Sequence, residues 1–213
     1  MDLQGDHEQH VAPGGRLPAG ESPGANNELL LNDQRQRRRF DEVVLPHLDD
    51  ALSLARWLTG SVADGEDVVQ DAAIRAFNAL PTFHDGNPRA WVLAIVRNTA
   101  FSWLRKNRPK ALIVTDEEFE AAGQEASLRP DQPGPEAALI AKADAKSVQD
   151  AIAALPLTYR EIIVLREIDD LSYREIAEVT GLPIGTVMSR LSRARGLLIQ
   201  KLGSMRRDAQ GAA

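Results

Sequence analysis

The chain has 213 residues, 43% hydrophobic, 26% charged and only 5% aromatic, so one or two soluble domains with a Leu, Val, Ile and Ala core are expected. It contains no cysteine, which excludes disulfide scaffolds, thiolate zinc sites, iron–sulfur clusters and Cys nucleophiles. The net charge of −6 argues against nucleic acid only on average, because the charge is segregated along the chain.

Residues 1–28 hold eight Gly or Pro and little apolar periodicity, which predicts a disordered N-terminal tail. Met1-Asp2-Leu3-Gln4 has neither a basic n-region nor an apolar h-region, and no apolar run approaches the roughly 18 residues that cross a bilayer. A cytoplasmic chain without membrane insertion is expected. Arg35, Arg37, Arg38 and Arg39 lead into a helical pattern through Phe40, Val43 and Val44. Pro46 is expected to start a second helix, carried by Leu48, Leu52, Ala55 and Leu58 and stopped at Gly60. A third helix is expected from Asp64, as N-cap, to Leu80, with Val69, Ala72, Ala73, Ala76 and Phe77 inward. After Pro81 and the loop Thr82 to Pro88, a fourth runs from Arg89 to Asn107. Six bases and no acid lie between Arg89 and Lys110.

Residues 109–135 are rich in Pro, Gly and acids and are expected to form a flexible acidic linker, able to reach about 90 Å if extended. Helical pattern resumes at Glu136 and includes Val148, Ile152 and Leu155. Two capping boxes are expected after Pro156, Thr158 with Glu161 and Ser172 with Glu175. From Thr186 to Arg207 there are again six bases and no acid. Solvated helix faces and anion-binding surfaces both fit these basic blocks. No segment alternates with period two, so the expected fold is all-α: two small helical domains, 29–108 and 136–205, with a C-terminal tail at 206–213.

The second domain contains a helix-turn-helix pattern. A capped helix carries Ile176, Ala177 and Val179 inward, Gly181 permits the turn, and Pro183 helps start the next helix. On that next helix Val187, Leu191, Ala194 and Leu198 fall within an arc of about 60°. Ser189, Ser192 and Arg193 lie opposite, flanked by Thr186, Met188 and Arg195. Hydroxyls and guanidiniums on an outward helix suit the major groove and its phosphates.

Three motifs carry a family resemblance. Asp64-Gly65-Glu66-Asp67-Val68-Val69-Gln70-Asp71 and the residues up to Phe77 resemble region 2.2 of bacterial sigma factors. Asn87-Pro88-Arg89-Ala90-Trp91 through Ala100 resemble regions 2.3 and 2.4, and Leu155 through Leu198 resemble region 4. The whole is similar to an extracytoplasmic-function sigma factor. The resemblance covers residues 35–108 and 136–203.

It implies a non-enzymatic promoter-specificity subunit whose partners are core RNA polymerase (clamp helices and flap), promoter DNA and an anti-sigma factor. It places Asp67, Val68, Gln70 and Asp71 against the polymerase. Phe83, His84 and Asn87 fall in the loop walling a pocket for a flipped base, with Arg89, Trp91, Arg97, Asn98, Arg105 and Arg108 on the −10 and melting surface. Trp91 also fits a core position. Thr186, Met188, Ser189, Arg190, Ser192, Arg193 and Arg195 would read the −35 element; Met188 stands where many relatives carry a base.

Arg97, Asn98, Arg105 and Arg108 fall within about 100° of arc, a stripe able to follow a phosphate backbone. Asp64, Glu66, Asp67 and Asp71 lack calcium-loop spacing and no His completes a transition-metal set, so neither metal nor cofactor is expected. A stand-alone DNA-binding regulator with a helical sensor domain remains the rival reading, distinguished by tight duplex binding without polymerase.

Overall fold

The computed structural model describes residues 23–109 and 145–211, with side chains at 31–109 and 145–205. Residues 110–135 of the expected linker, residues 136–144 of the pattern resuming at Glu136 and most of the N-terminal tail lie outside these residues. The regular elements of the described residues are all helices, and none of them is long and apolar enough to cross a membrane. Residues 1–35 form one unit and residues 36–213 another.

Helix α1 spans Pro23–Val43. It begins six residues inside the stretch expected to be a tail, because Gly24 and the amides after it follow a Pro suited to a helix start. Within the larger unit, its last turns lay Phe40 edge-on against Phe77 at 5.6 Å, and Gln36 donates to the Phe77 carbonyl at 2.9 Å. Pro46 sits in a single 3-10 turn, Leu45–His47, and α2 follows at Leu48–Thr59. Its buried stripe is Ala51, Leu54, Ala55 and Leu58, rotated from the expected stripe so that Leu52 is only half-buried. Gly60 closes α2 in the left-handed conformation at φ 70°, the position where a missing Cβ matters most.

Helix α3, Val62–Ala79, starts two residues earlier than expected. Ser61 is the N-cap and accepts from the Asp64 amide at 3.3 Å, since Gly60 leaves Ser61 extended at the helix mouth. Gly65 brings α3 against α2: a Cβ there would lie 3.0 Å from the Arg56 amide nitrogen and 3.1 Å from its Cα. Gly65→Ala is therefore expected to cost roughly 1–2 kcal/mol through overpacking against the α2 backbone, despite the gain in helix propensity. Thermal unfolding checks this, and an unchanged or raised midpoint would contradict it.

Helix α4, Pro88–Asn107, packs on both α2 and α3 through Ala90, Val92, Leu93, Val96, Ala100 and Leu104. Helix α5, Ala145–Ala153, leads to α6, Leu157–Ile163. The capping box expected at Thr158 and Glu161 does not form: Pro156 is the N-cap, and Glu161 is completely buried beside Arg97 of α4. The chain then widens into a π-turn at Val164–Ile168, where the Asp169 amide reaches the Val164 carbonyl at 3.0 Å. Helix α7, Tyr173–Thr180, opens with the expected Ser172–Glu175 capping box and ends at Gly181, φ 71°. Helix α8, Ile184–Gly211, completes the helix-turn-helix, with Val187, Leu191, Ala194 and Leu198 buried.

These two helical groups form one compact unit. Helix α7 packs against α4, and α6 against α2. Arg160 stitches the second contact. Its guanidinium donates to the Leu155 carbonyl at 3.0 Å and to the Trp57 carbonyl at 3.2 Å, placing a cation by the C-terminal turn of α2.

Candidate nucleic-acid interface

Helix α3 buries one face, Gly65, Val68, Ala72 and Ala76, and leaves the opposite face outward. Asp67, Gln70 and Asp71 are exposed there, as expected. Val68 is not. At 1% exposure it belongs to the core, on the same face of α3 as buried Gly65, Ala72 and Ala76. The apolar member of this face is Ile74, 58% exposed and one to two turns beyond Asp67 and Asp71. Sequence reading missed it, although Ile74 breaks the buried period of α3 and that break was legible. The acids at the start of α3 do not converge. Asp64 pairs with Arg108 at 3.1 Å and Glu66 with Arg56 at 3.2 Å, and no group of three ligating side chains occurs among the described residues.

The loop before α4 is tied down at several points. Asn87 caps α4 by accepting from the Ala90 amide at 3.3 Å. Phe83 stacks on Trp91 at 4.7 Å with an interplanar angle of 30°, and Arg39 of α1 donates to the Phe83 carbonyl. Trp91 is half-buried, so the two readings of it are not exclusive: one part packs on the core while its ring walls the loop with Phe83. His84 is exposed, its Nδ1 2.9 Å from the Thr82 carbonyl.

On α4, Asn98 and Arg105 face solvent, Asn98 accepting from Arg97 at 3.3 Å. Arg97 also lies over the Phe101 ring at 4.5 Å. Arg108 departs from the expected stripe. It lies past the end of the helix and folds back to the Thr59 carbonyl at 2.9 Å and to Asp64, which ties the end of α4 to the α2–α3 junction.

Other polar groups of this surface are held by acids of α2, α6 and α7 and by a carbonyl just after the π-turn. Arg97 forms a two-pronged pair with Glu161, the second prong at 3.4 Å. Asn87 donates to Glu175 at 2.8 Å. Arg89 donates to Asp50 at 2.7 Å and to the Asp169 carbonyl at 2.5 Å, and Ser53 donates to the Asp169 carboxylate at 2.9 Å. The Asp50 partner raises the Arg89 pKa above its ordinary value. Burial pushes Asp169 up to about 6 and moves Glu161 upward as well, against the pull of Arg97. The hydrogen bonds from Ser172 hold Glu175 below the usual range. None of these pairings was read from the sequence, whose only hint was an acid at each of these positions.

On α8, Ser189 and Arg193 are exposed, Met188 is 39% exposed, and Thr186, Arg190 and Ser192 are half-buried. Arg195 is turned to Glu167 at 2.8 Å. This outer face therefore offers hydroxyls, guanidinium and an apolar tip together.

Sigma-70 region 2 matches residues 43–110, and Sigma-70, region 4 matches residues 145–198. The RNA polymerase sigma-H factor of Pseudomonas aeruginosa is 35% identical over 86% of this chain and 97% of its own length. The ECF RNA polymerase sigma-E factor of Escherichia coli K12 is 35% identical over 78% of this chain and 87% of its own. Among solved structures, the sigma factor RpoE of Bartonella quintana, in complex with the anti-sigma factor NepR, superposes with a TM-score of 0.57. It is 28% identical and the match covers 77% of this chain and 96% of that one.

Proposed function

Because the chain belongs to the extracytoplasmic-function sigma factors, which direct promoter-specific initiation by core RNA polymerase, we propose a role for each of its surfaces. Residues 29–108 act as the polymerase-binding and −10 domain, and residues 136–205 as the −35 domain. The outer face of α3, with Asp67, Gln70, Asp71 and now Ile74, docks on the clamp helices. Acids around an exposed apolar residue suit a basic coiled coil, with charge guiding the encounter. Val68 supports that face from within. The −10 surface is the Thr82–Asn87 loop with Trp91, Arg89, Arg97, Asn98 and Arg105. An amide at Asn98 bonds the edge of an unstacked base, and Phe83 with Trp91 supplies the aromatic wall.

Thr186, Met188, Ser189, Arg190, Ser192 and Arg193 face the −35 duplex. Arg195 reaches it only by leaving Glu167. The protein works in the cytoplasm, has no catalytic residues of its own, and is held by an anti-sigma factor, as its structural neighbour is by NepR. The observation that carries the reading is the coexistence of an aromatic-walled amide surface on α4 with an outward recognition helix on α8.

Transcription with core polymerase on a promoter library tests it. Asn98→Ala and Arg193→Ala should then fail at different steps. The first should slow open-complex formation and be rescued by a premelted template, because its partner is an unstacked base. The second should weaken the closed complex, with an expected loss of about 1–3 kcal/mol if it pairs with a base edge and less for a phosphate. Equal rescue of both would contradict this division, and no transcript from any template would contradict the function.

A further inference from the structure

We propose that Arg39 of α1 is a positioning residue for base selection in the −10 element: it fixes the Phe83 peptide and so holds the Thr82–Asn87 loop in the shape that walls the base pocket. The proposal rests on the proposed −10 surface and deepens it, naming a residue outside that surface on which its selectivity depends.

Four arginines lie together near the end of α1, and neither the docking face nor the DNA surfaces use any of them. Arg35, Arg37 and Arg38 are exposed. Arg39 is half-buried, and its guanidinium donates to the Phe83 carbonyl, 44 residues further along the chain. Its place is set by its neighbours as well as by that bond. Phe40 packs edge-on against Phe77, and Gln36 donates to the Phe77 carbonyl at 2.9 Å, so the last turns of α1 are anchored where α3 ends. From there Arg39 reaches the first residue after the 3-10 turn Leu80–Thr82.

The loop is held firmly only at its two ends. The Thr82 hydroxyl donates to the Ala79 carbonyl at 2.7 Å and the Phe83 amide to the Leu80 carbonyl at 3.1 Å, which completes the turn. At the far end Asn87 caps α4. Between them His84, Asp85 and Gly86 are exposed, Gly86 at φ 131°, a conformation that only a residue without Cβ adopts freely. Phe83 is the pivot of this stretch: its ring stacks on Trp91 and its carbonyl accepts from Arg39. Rotation of the peptide after Phe83 swings His84 to Gly86 and tilts the ring that walls the pocket. A charge-assisted hydrogen bond on the carbonyl opposes that rotation. Base-edge contacts discriminate only while their donors and acceptors are held in place. Loss of Arg39 therefore relaxes the choice of base while leaving the phosphate contacts intact.

The test uses the full chain bound to core polymerase, on promoter templates premelted and randomised through the −10 element. Arg39→Met keeps a good helix former and removes the donor. At one −10 position it should lower the ratio of the preferred base to the next by at least about fivefold, the low end for one base-edge contact. Affinity for core polymerase and for −35 duplex should stay at the parent's value. Arg39→Lys, whose ammonium is still able to donate to a carbonyl, should restore most of the lost preference. Unchanged preference in Arg39→Met overturns the proposal and leaves the sigma function standing. An equal loss on every sequence marks Arg39 as a phosphate contact and overturns it as well. A parent chain without base preference in the −10 element overturns the surface and the proposal together.

A second measurement needs no DNA. In the free full chain, hydrogen exchange of the Phe83 amide should quicken severalfold in Arg39→Met, with exchange in the buried turns of α3 and α4 unchanged. Equal exchange at Phe83 overturns the proposal. If Arg39→Met loses helicity, Arg39→Gln, whose shorter amide does not reach the carbonyl, is read in the same two ways.

Discussion

Arg97→Ala is expected to lower the stability of the free chain by about 3 kcal/mol near neutral pH, the low end for breaking a buried pair. Glu161 has no exposed surface, and Arg97 pairs with it through two prongs, helped by the more distant field of Arg190. Removing the guanidinium leaves a carboxylate in the seam that must stay charged without a partner or take up a proton. For a chain of this length the corresponding fall in melting temperature is roughly 6–12 °C.

Two controls separate a lost charge partner from lost packing. First, the deficit should shrink in acid, because burial already raises the Glu161 pKa and the protonated carboxyl no longer needs the guanidinium. Second, Arg97→Leu combined with Glu161→Leu should recover most of the loss, as apolar replacement of both members of a buried pair often does. A double variant as unstable as Arg97→Ala would show that the pair is not the cause. Thermal or urea unfolding of the three proteins measures all of this.

Asp169→Asn should act in the opposite direction, raising stability near pH 7 by about 2 kcal/mol. In the folded chain the Asp169 pKa is about 6, above the ordinary 3.8, so the folded state binds the proton more tightly than the unfolded state. The charged form is therefore penalised above about pH 6, and the penalty is relieved as pH falls from about 6 toward 4. A shift of about two units corresponds to roughly 3 kcal/mol, from which about 1 kcal/mol is subtracted for the unpaired amide donor that Asn introduces.

The groups facing Asp169 fix this sign. Ser53 donates to it, Arg89 lies on its carbonyl and favours the charge, and Asp50 on α2 opposes it, with burial the largest effect. His47 and Glu175 also border this cluster, with pKa values lowered by burial and by Ser172 respectively, so each loses stability in acid and partly masks the Asp169 trend. Subtracting the Asn variant's profile from the parent's isolates the one carboxyl. A difference that does not change between about pH 4 and pH 7 would contradict the assignment.

The local signals in the chain determined most of the helices and the surfaces on the recognition helix. Gly60 and Gly181 end helices wherever the chain lies, because the left-handed turn is a property of a missing Cβ. Ser172 and Glu175 cap each other within one turn, and Val187, Leu191, Ala194 and Leu198 form an apolar stripe through spacing alone. Three ordered motifs were enough to indicate the family.

Tertiary structure decided what depends on a second helix. Val68 is core rather than docking surface because α2 lies on that side of α3, and the Leu52 stripe rotates for the same kind of reason. Glu161 has the spacing of a capping residue, yet Arg97, 64 positions away, draws it inward from the cap. Arg108 completes a basic stripe on a continued helix, but α4 ends before it and the side chain returns to Thr59. Periodicity states that a face is buried and leaves its partner unnamed. A buried charge must find one particular partner across the fold, and only packing of α6 and α7 onto α2 and α4 brings those partners within hydrogen-bond reach.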